Sequence, residues 1–152
     1  MLIKMTLLSF LGSVFPVILF NIDRKKIFWC GLAGGLGWIF YSITLTASDN
    51  NTIIASFIGA FVVNIYSEIM ARLLHTPASM FYIPGIFPLV PGILAYSSII
   101  SIVQKDYPAA LNNGLLTLAV GVAISVGITV SSTLVKCSSK IHKEYKNKNS
   151  NA

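Results

Sequence analysis

The chain has 152 residues, of which 55% are apolar and only 11% charged, against about 25% charged in an ordinary soluble domain. A soluble fold of this composition would expose apolar patches larger than soluble monomers tolerate, so the sequence requires lipid as its solvent. A net charge of +6 would ordinarily suggest nucleic acid as a partner, but Lys136, Lys140, Lys143, Lys146 and Lys148 gather in a tail without interleaved aromatics, so none is expected. Such a tail suits anionic lipid at a cytoplasmic surface.

A bilayer crossing needs about 20 mostly apolar residues. Five segments meet this: 5–22, 27–47, 52–70, 79–103 and 111–135. The links between them are too short for a soluble domain. The expected fold is therefore an all-α integral membrane bundle over residues 1–135, with a fourth helix broken by Pro and Gly. Residues 136–152 are expected to form a basic, disordered cytoplasmic tail.

The first segment follows Lys4 and ends in Asn21, Asp23, Arg24, Lys25 and Lys26 with no small-residue cleavage site. It reads as a retained span rather than a signal peptide. In the second segment, Gly31 and Gly35 are four apart, as are Ala55 and Gly59 in the third and Gly121 and Ser125 in the fifth. Small pairs at this spacing let helices approach closely. Glycines 34, 35 and 37 lack the spacing and flanks of a dinucleotide loop. Cys30 and Cys137 show neither disulfide nor zinc spacing, and no metal or cofactor is expected.

The third segment carries Asn64, Glu68 and Arg72 at intervals of four on one helical face. A charge inside a span is costly, which makes Glu68 a candidate proton carrier or substrate partner. Counted from Thr52, Glu68 lies about 24 Å along the helix, close enough to one interface for an ion pair with Arg72 to be the alternative reading. His75, in the link that follows, reads as solvated.

The fourth segment is the most informative. In IPGIFPLVPG, Pro84, Pro88 and Pro91 fall within eight residues, and each removes a backbone donor and crowds the preceding turn. One regular helix cannot hold all three. Unpaired backbone at membrane depth survives only against protein or a water-filled cavity. A helix resuming at Ile93 and running to Val103 would start near mid-membrane with free amides, as in transporters that hold a substrate carboxylate. The alternative is a kinked or re-entrant helix without a ligand. Past the break, Tyr96, Ser97, Ser98 and Ser101 offer hydroxyls, which can also bond to their own helix. Asn112 and Asn113 are expected to start the fifth helix.

The candidate pathway residues are thus Asn64, Glu68, Arg72, Pro88, Pro91, Gly92, Tyr96 and Ser97. No catalytic constellation accompanies them, so the sequence does not read as an enzyme. With alternating links, Arg24, Lys25, Lys26, Arg72 and the five tail lysines share one side, nine basic residues against Lys4 and Lys105. This places the N-terminus outside and the C-terminus in the cytoplasm of a plasma-membrane protein.

Residues 67–96 (SEIMARLLHTPASMFYIPGIFPLVPGILAY) resemble the threonine/serine exporter family, in particular its C-terminal half, which also occurs as a separate YjjB-like small subunit. The marks are Glu68, Ala71, Arg72, Pro77, Ala78, Pro84, Gly85, PLVPG at 88–92 and Tyr96, with a weaker echo at Trp29, Cys30 and the glycines beyond. The resemblance implies ion-gradient-driven export of threonine and serine. It further implies a separate larger membrane subunit as partner, since full-length members join two five-span halves. Relatives of the small-subunit type are linked to succinate export, so a dicarboxylate is the second substrate class. A membrane scaffold that only stabilises its partner is the reading from another class.

Overall fold

The computed structural model describes residues 2–19 and 24–150. Every regular element among them is helical: α1 (Leu2–Leu19), α2 (Ile27–Ala47), α3 (Thr52–Leu73), α4 (Ser79–Ile86), α5 (Gly92–Val103) and α6 (Tyr107–Ser150), with 3-10 turns at Arg24–Lys26 and Phe87–Leu89. The chain is an all-α membrane protein. Helices α2 and α3, and α6 over Tyr107–Ser138, are each long and apolar enough to cross a bilayer. The segments Ser79–Leu89 and Gly92–Val103, bent by 48°, make a fourth crossing if counted as one span. The remaining expected crossing is α1, whose 18 described residues cover about 27 Å; residues 20–22 of that expected segment lie outside the described ones.

Helix ends follow local chemistry. Asn51 caps α3, its Oδ1 accepting from Ile53 N at 3.1 Å and Ile54 N at 3.3 Å. Asp106 does the same for α6, accepting from Ala109 N at 3.2 Å. The start of the last helix is therefore Asp106, not Asn112 or Asn113 as the sequence suggested. Asn113 lies inside α6, where its carbonyl accepts from Thr117 Oγ1 at 2.7 Å. The backbone of α6 stays helical through Ser150, where a disordered tail was expected from residue 136.

Glycines set the closeness of the bundle. A Cβ on Gly31 would stand 2.6 Å from the Phe10 ring, and one on Gly127 would stand 2.7 Å from Phe57 O. Gly121 has open space around it and Ser125 bonds back to Gly121 O, so this expected packing pair does not join helices within the chain. Gly127, six residues beyond Gly121, takes that role for α3 and α6. One buried core cluster joins Ala33 of α2, Ala60 and Val63 of α3, Leu89 of the break, and Val120 and Ile124 of α6.

The prolines of the fourth segment behave as their covalent structure requires. Each deprives the carbonyl four residues earlier of its helical donor. Met80 O, orphaned by Pro84, accepts from the buried Cys30 thiol at 3.3 Å. Pro84 O, orphaned by Pro88, accepts from Phe87 N. Phe87 O, orphaned by Pro91, accepts from Val90 N at 3.3 Å. Val90 is extended (φ −63°, ψ 130°), the conformation a following proline favours. The chain thus breaks between Leu89 and Gly92, and helical backbone resumes at Gly92, one residue before the expected Ile93.

Candidate functional site: a cavity at the helix break

The break opens onto a cavity of about 280 Å³, at the small end of ligand pockets, which run from about 300 Å³ upward. Its walls come from four places: Trp38 and Tyr41 of α2, Thr52 and Ser56 of α3, residues 88–94 of the break, and Val120 of α6. The break is held there by Leu89, which is buried and lies over Gly37 and Gly59. Three of the expected site residues, Pro88, Pro91 and Gly92, line this cavity.

Two features give it polar character. The first is the start of α5. Its first helical bond runs from Ala95 N to Pro91 O, and no side chain caps the helix. The amides of Ile93 and Leu94 precede that bond, and the positive end of the helix dipole points the same way. The second feature is the set of wall residues that carry polar groups, Trp38, Tyr41, Thr52 and Ser56; the Ser56 Oγ and Trp38 Nε1 atoms themselves are buried in the wall without a hydrogen-bond partner. The Trp38 ring stacks on Tyr41 with centroids 5.2 Å apart. No charged side chain lines the cavity.

Asn64, Glu68 and Arg72 lie elsewhere, on the α3 face toward α6. Asn64 is fully buried. Its Nδ2 donates to Ser131 Oγ and Ser132 Oγ, both at 2.8 Å, and lies 3.2 Å from Ile128 O. Eight residues on, Arg72 Nη2 donates to Val135 O at 3.4 Å. Ile128, Ser131, Ser132 and Val135 form one face of α6, and half-buried Glu68 sits between the two contacts. The Glu68–Arg72 pairing suggested by their spacing is not among the ion pairs of the described residues.

Tyr96 and Ser97 do not enter the cavity. Tyr96 is 65% exposed, and α5 packs on α6 alone among the described elements. The serine that ties α5 down is Ser98, donating to Ala110 O at 2.8 Å.

Sequence reasoning found the break but missed Trp38, Tyr41, Thr52 and Ser56, which reach it from helices far away in the chain. It missed Ser131 and Ser132 as well, although two adjacent serines inside an apolar run were a visible sign.

Long apolar helices around a broken one, with an uncapped helix start beside a small cavity, are an arrangement that membrane transporters use. The model of the threonine/serine exporter family, ThrE, matches residues 5–134, which takes in all the helices that pack together. The chain belongs to that family, and its function is membrane transport of the threonine/serine exporter type. No solved structure matches the chain.

Proposed function

We propose that the chain is the small membrane subunit of a secondary transporter that exports threonine and serine with a larger partner subunit, and that the break cavity is its share of the substrate path. The observation carrying this reading is the uncapped start of α5, whose Ile93 and Leu94 line a cavity of about 280 Å³ at the helix break. A helix start attracts a carboxylate.

The uncharged lining favours a zwitterionic amino acid over succinate. A second carboxylate calls for a cation, and Arg72 is engaged with α6 through Val135. Asn64 and Arg72 then serve to hold α6 on α3 and so to set the cavity wall at Val120. The location is taken as the plasma membrane, and the positive-inside count supports an N-terminus outside and a C-terminus in the cytoplasm. Resemblance to the C-terminal half of longer family members supports the need for a partner.

The test is efflux of labelled threonine and labelled succinate from cells lacking their own exporters and carrying the pair or either subunit alone. Threonine efflux from the pair alone is the expected result. Succinate efflux alone would move the substrate class to dicarboxylates. A stable membrane complex with neither efflux would favour the scaffold.

A further inference from the structure

Helices α3 and α6 run side by side but start at different heights. Where α3 begins, Ile53 and Ile54 share a groove with Ala119 and Val122 of α6, and near its end Arg72 bonds to Val135. From Asn51 to Arg72 is about 32 Å of helix, which matches a hydrocarbon core of about 30 Å. Residues 107–118 of α6 come before that stretch and add about 18 Å of helix. Helix α5, which packs on α6 alone, folds back along them. The α5–α6 hairpin therefore runs past the polar link at 48–51 to a second polar link at 104–106.

The surface of this hairpin is apolar. A groove of about 710 Å³ runs between α5 and α6, and no charged side chain lines it. Six large side chains along the groove are each more than half exposed. Tyr96, Val103 and Val122, equally open, lie within a helical turn of them and extend the face. Lipid matched to α3 stops short of most of it, and an apolar face of this size in water calls for a partner.

The pattern on α6 says which partner fits. Leu111, Leu115, Leu118 and Val122 are all exposed, at intervals of four, three and four. That is the spacing of a coiled-coil seam, in which each knob enters a hole on a facing helix. Two copies in one membrane point the same way, so their seams run parallel and meet in register across a two-fold axis. The area is also sufficient. A large apolar side chain carries on the order of 100 Å² of apolar surface, so nine of them more than half exposed offer roughly 500 Å² per copy, about what a stable interface needs from each partner.

We propose that the α5–α6 hairpin is the interface with a second copy of this chain, α6 pairing with α6 along Leu111, Leu115, Leu118 and Val122. The interface shares no lining residue with the break cavity and holds whichever solute the protein carries.

The test is disulfide cross-linking in membranes of cells producing the full chain with its larger partner subunit. A Cys137→Ser background leaves this chain only Cys30, which is fully buried. A disulfide needs Cα atoms within about 7 Å. Leu111→Cys and Leu118→Cys each meet their own counterpart across the two-fold axis and should give a covalent dimer of this chain. Asn112→Cys, exposed on another side of α6, should give none. No dimer at either seam position, a dimer formed as readily by Asn112→Cys, or a product joined to a different protein would overturn the proposal. If the substituted chains fail to accumulate, unmodified copies carrying two different affinity tags should co-purify in mild detergent, and recovery of one tag alone would overturn it too.

Discussion

Leu89 lies against Gly59 so closely that a Cβ on the glycine would stand 2.9 Å from Leu89 Cδ2, 3.2 Å from Gly37 O and 3.3 Å from Tyr41 Cβ. This contact is how α2 and α3 hold the broken segment in register, with Pro88 and Gly92 on either side of the anchor. Replacing Gly59 with valine should force the break out of its seat and destabilise the protein by about 1–3 kcal/mol, the usual effect of overpacking. Gly121→Ala, in open space, should be neutral or stabilising by up to about 1 kcal/mol, since it only removes backbone freedom. Melting temperatures of the purified protein in detergent would separate the two.

The polar seam between α3 and α6 yields a coupling. Asn64 Nδ2 and Ser131 Oγ are 2.8 Å apart and both residues are fully buried. A double-mutant cycle with Asn64→Ala and Ser131→Ala should give a favourable interaction of about 0.6 kcal/mol and no more than about 1.7, the range found for hydrogen bonds between membrane helices. Additive single effects would mean that the bond adds no stability.

Glu68 tests whether the seam is structural. It lies on the α3 face that joins α6 and does not line the break cavity. Glu68→Gln should leave threonine efflux by the pair within about twofold of the unmodified rate, as for substitutions away from packed or reacting groups. A loss of efflux with the complex intact would return Glu68 to the transport path.

The two cysteines report on burial and on sidedness. Cys30 is fully buried with its thiol on Met80 O, whereas Cys137 is exposed two residues beyond Val135. A membrane-impermeant maleimide should label Cys137 only when the cytoplasmic face is opened, and should not label Cys30 in the folded protein from either side. Labelling of Cys137 from outside intact cells would reverse the proposed orientation.

The legible and illegible parts of the site differ in physical origin. The break could be read from sequence because proline acts through its own covalent structure, and Val90 adopts the extended backbone that Pro91 imposes. The wall opposite the break could not. Trp38 and Ser56 lie on different helices and converge only because glycines 37 and 59 let α2 and α3 pack closely around Leu89. The choice of Gly127 over Gly121 as the close contact on α6 is likewise set by which face of that helix meets Phe57, a tertiary fact. Asp106 displaced Asn112 and Asn113 as the helix start because it is a capping residue six positions before Asn112, and the helix begins there.

The central claim, that the cavity at the helix break lies in the transport path, is tested most directly at Gly92. Gly92 lines the cavity and nothing stands within 4 Å of a Cβ built there, so Gly92→Leu adds bulk at the cavity's edge without a neighbour to clash with at its Cβ, and Gly92→Ala serves as the small control. Labelled threonine efflux by the pair should persist in Gly92→Ala and be lost in Gly92→Leu, with equal amounts of complex in the membrane. Full efflux through the Gly92→Leu complex would contradict the account.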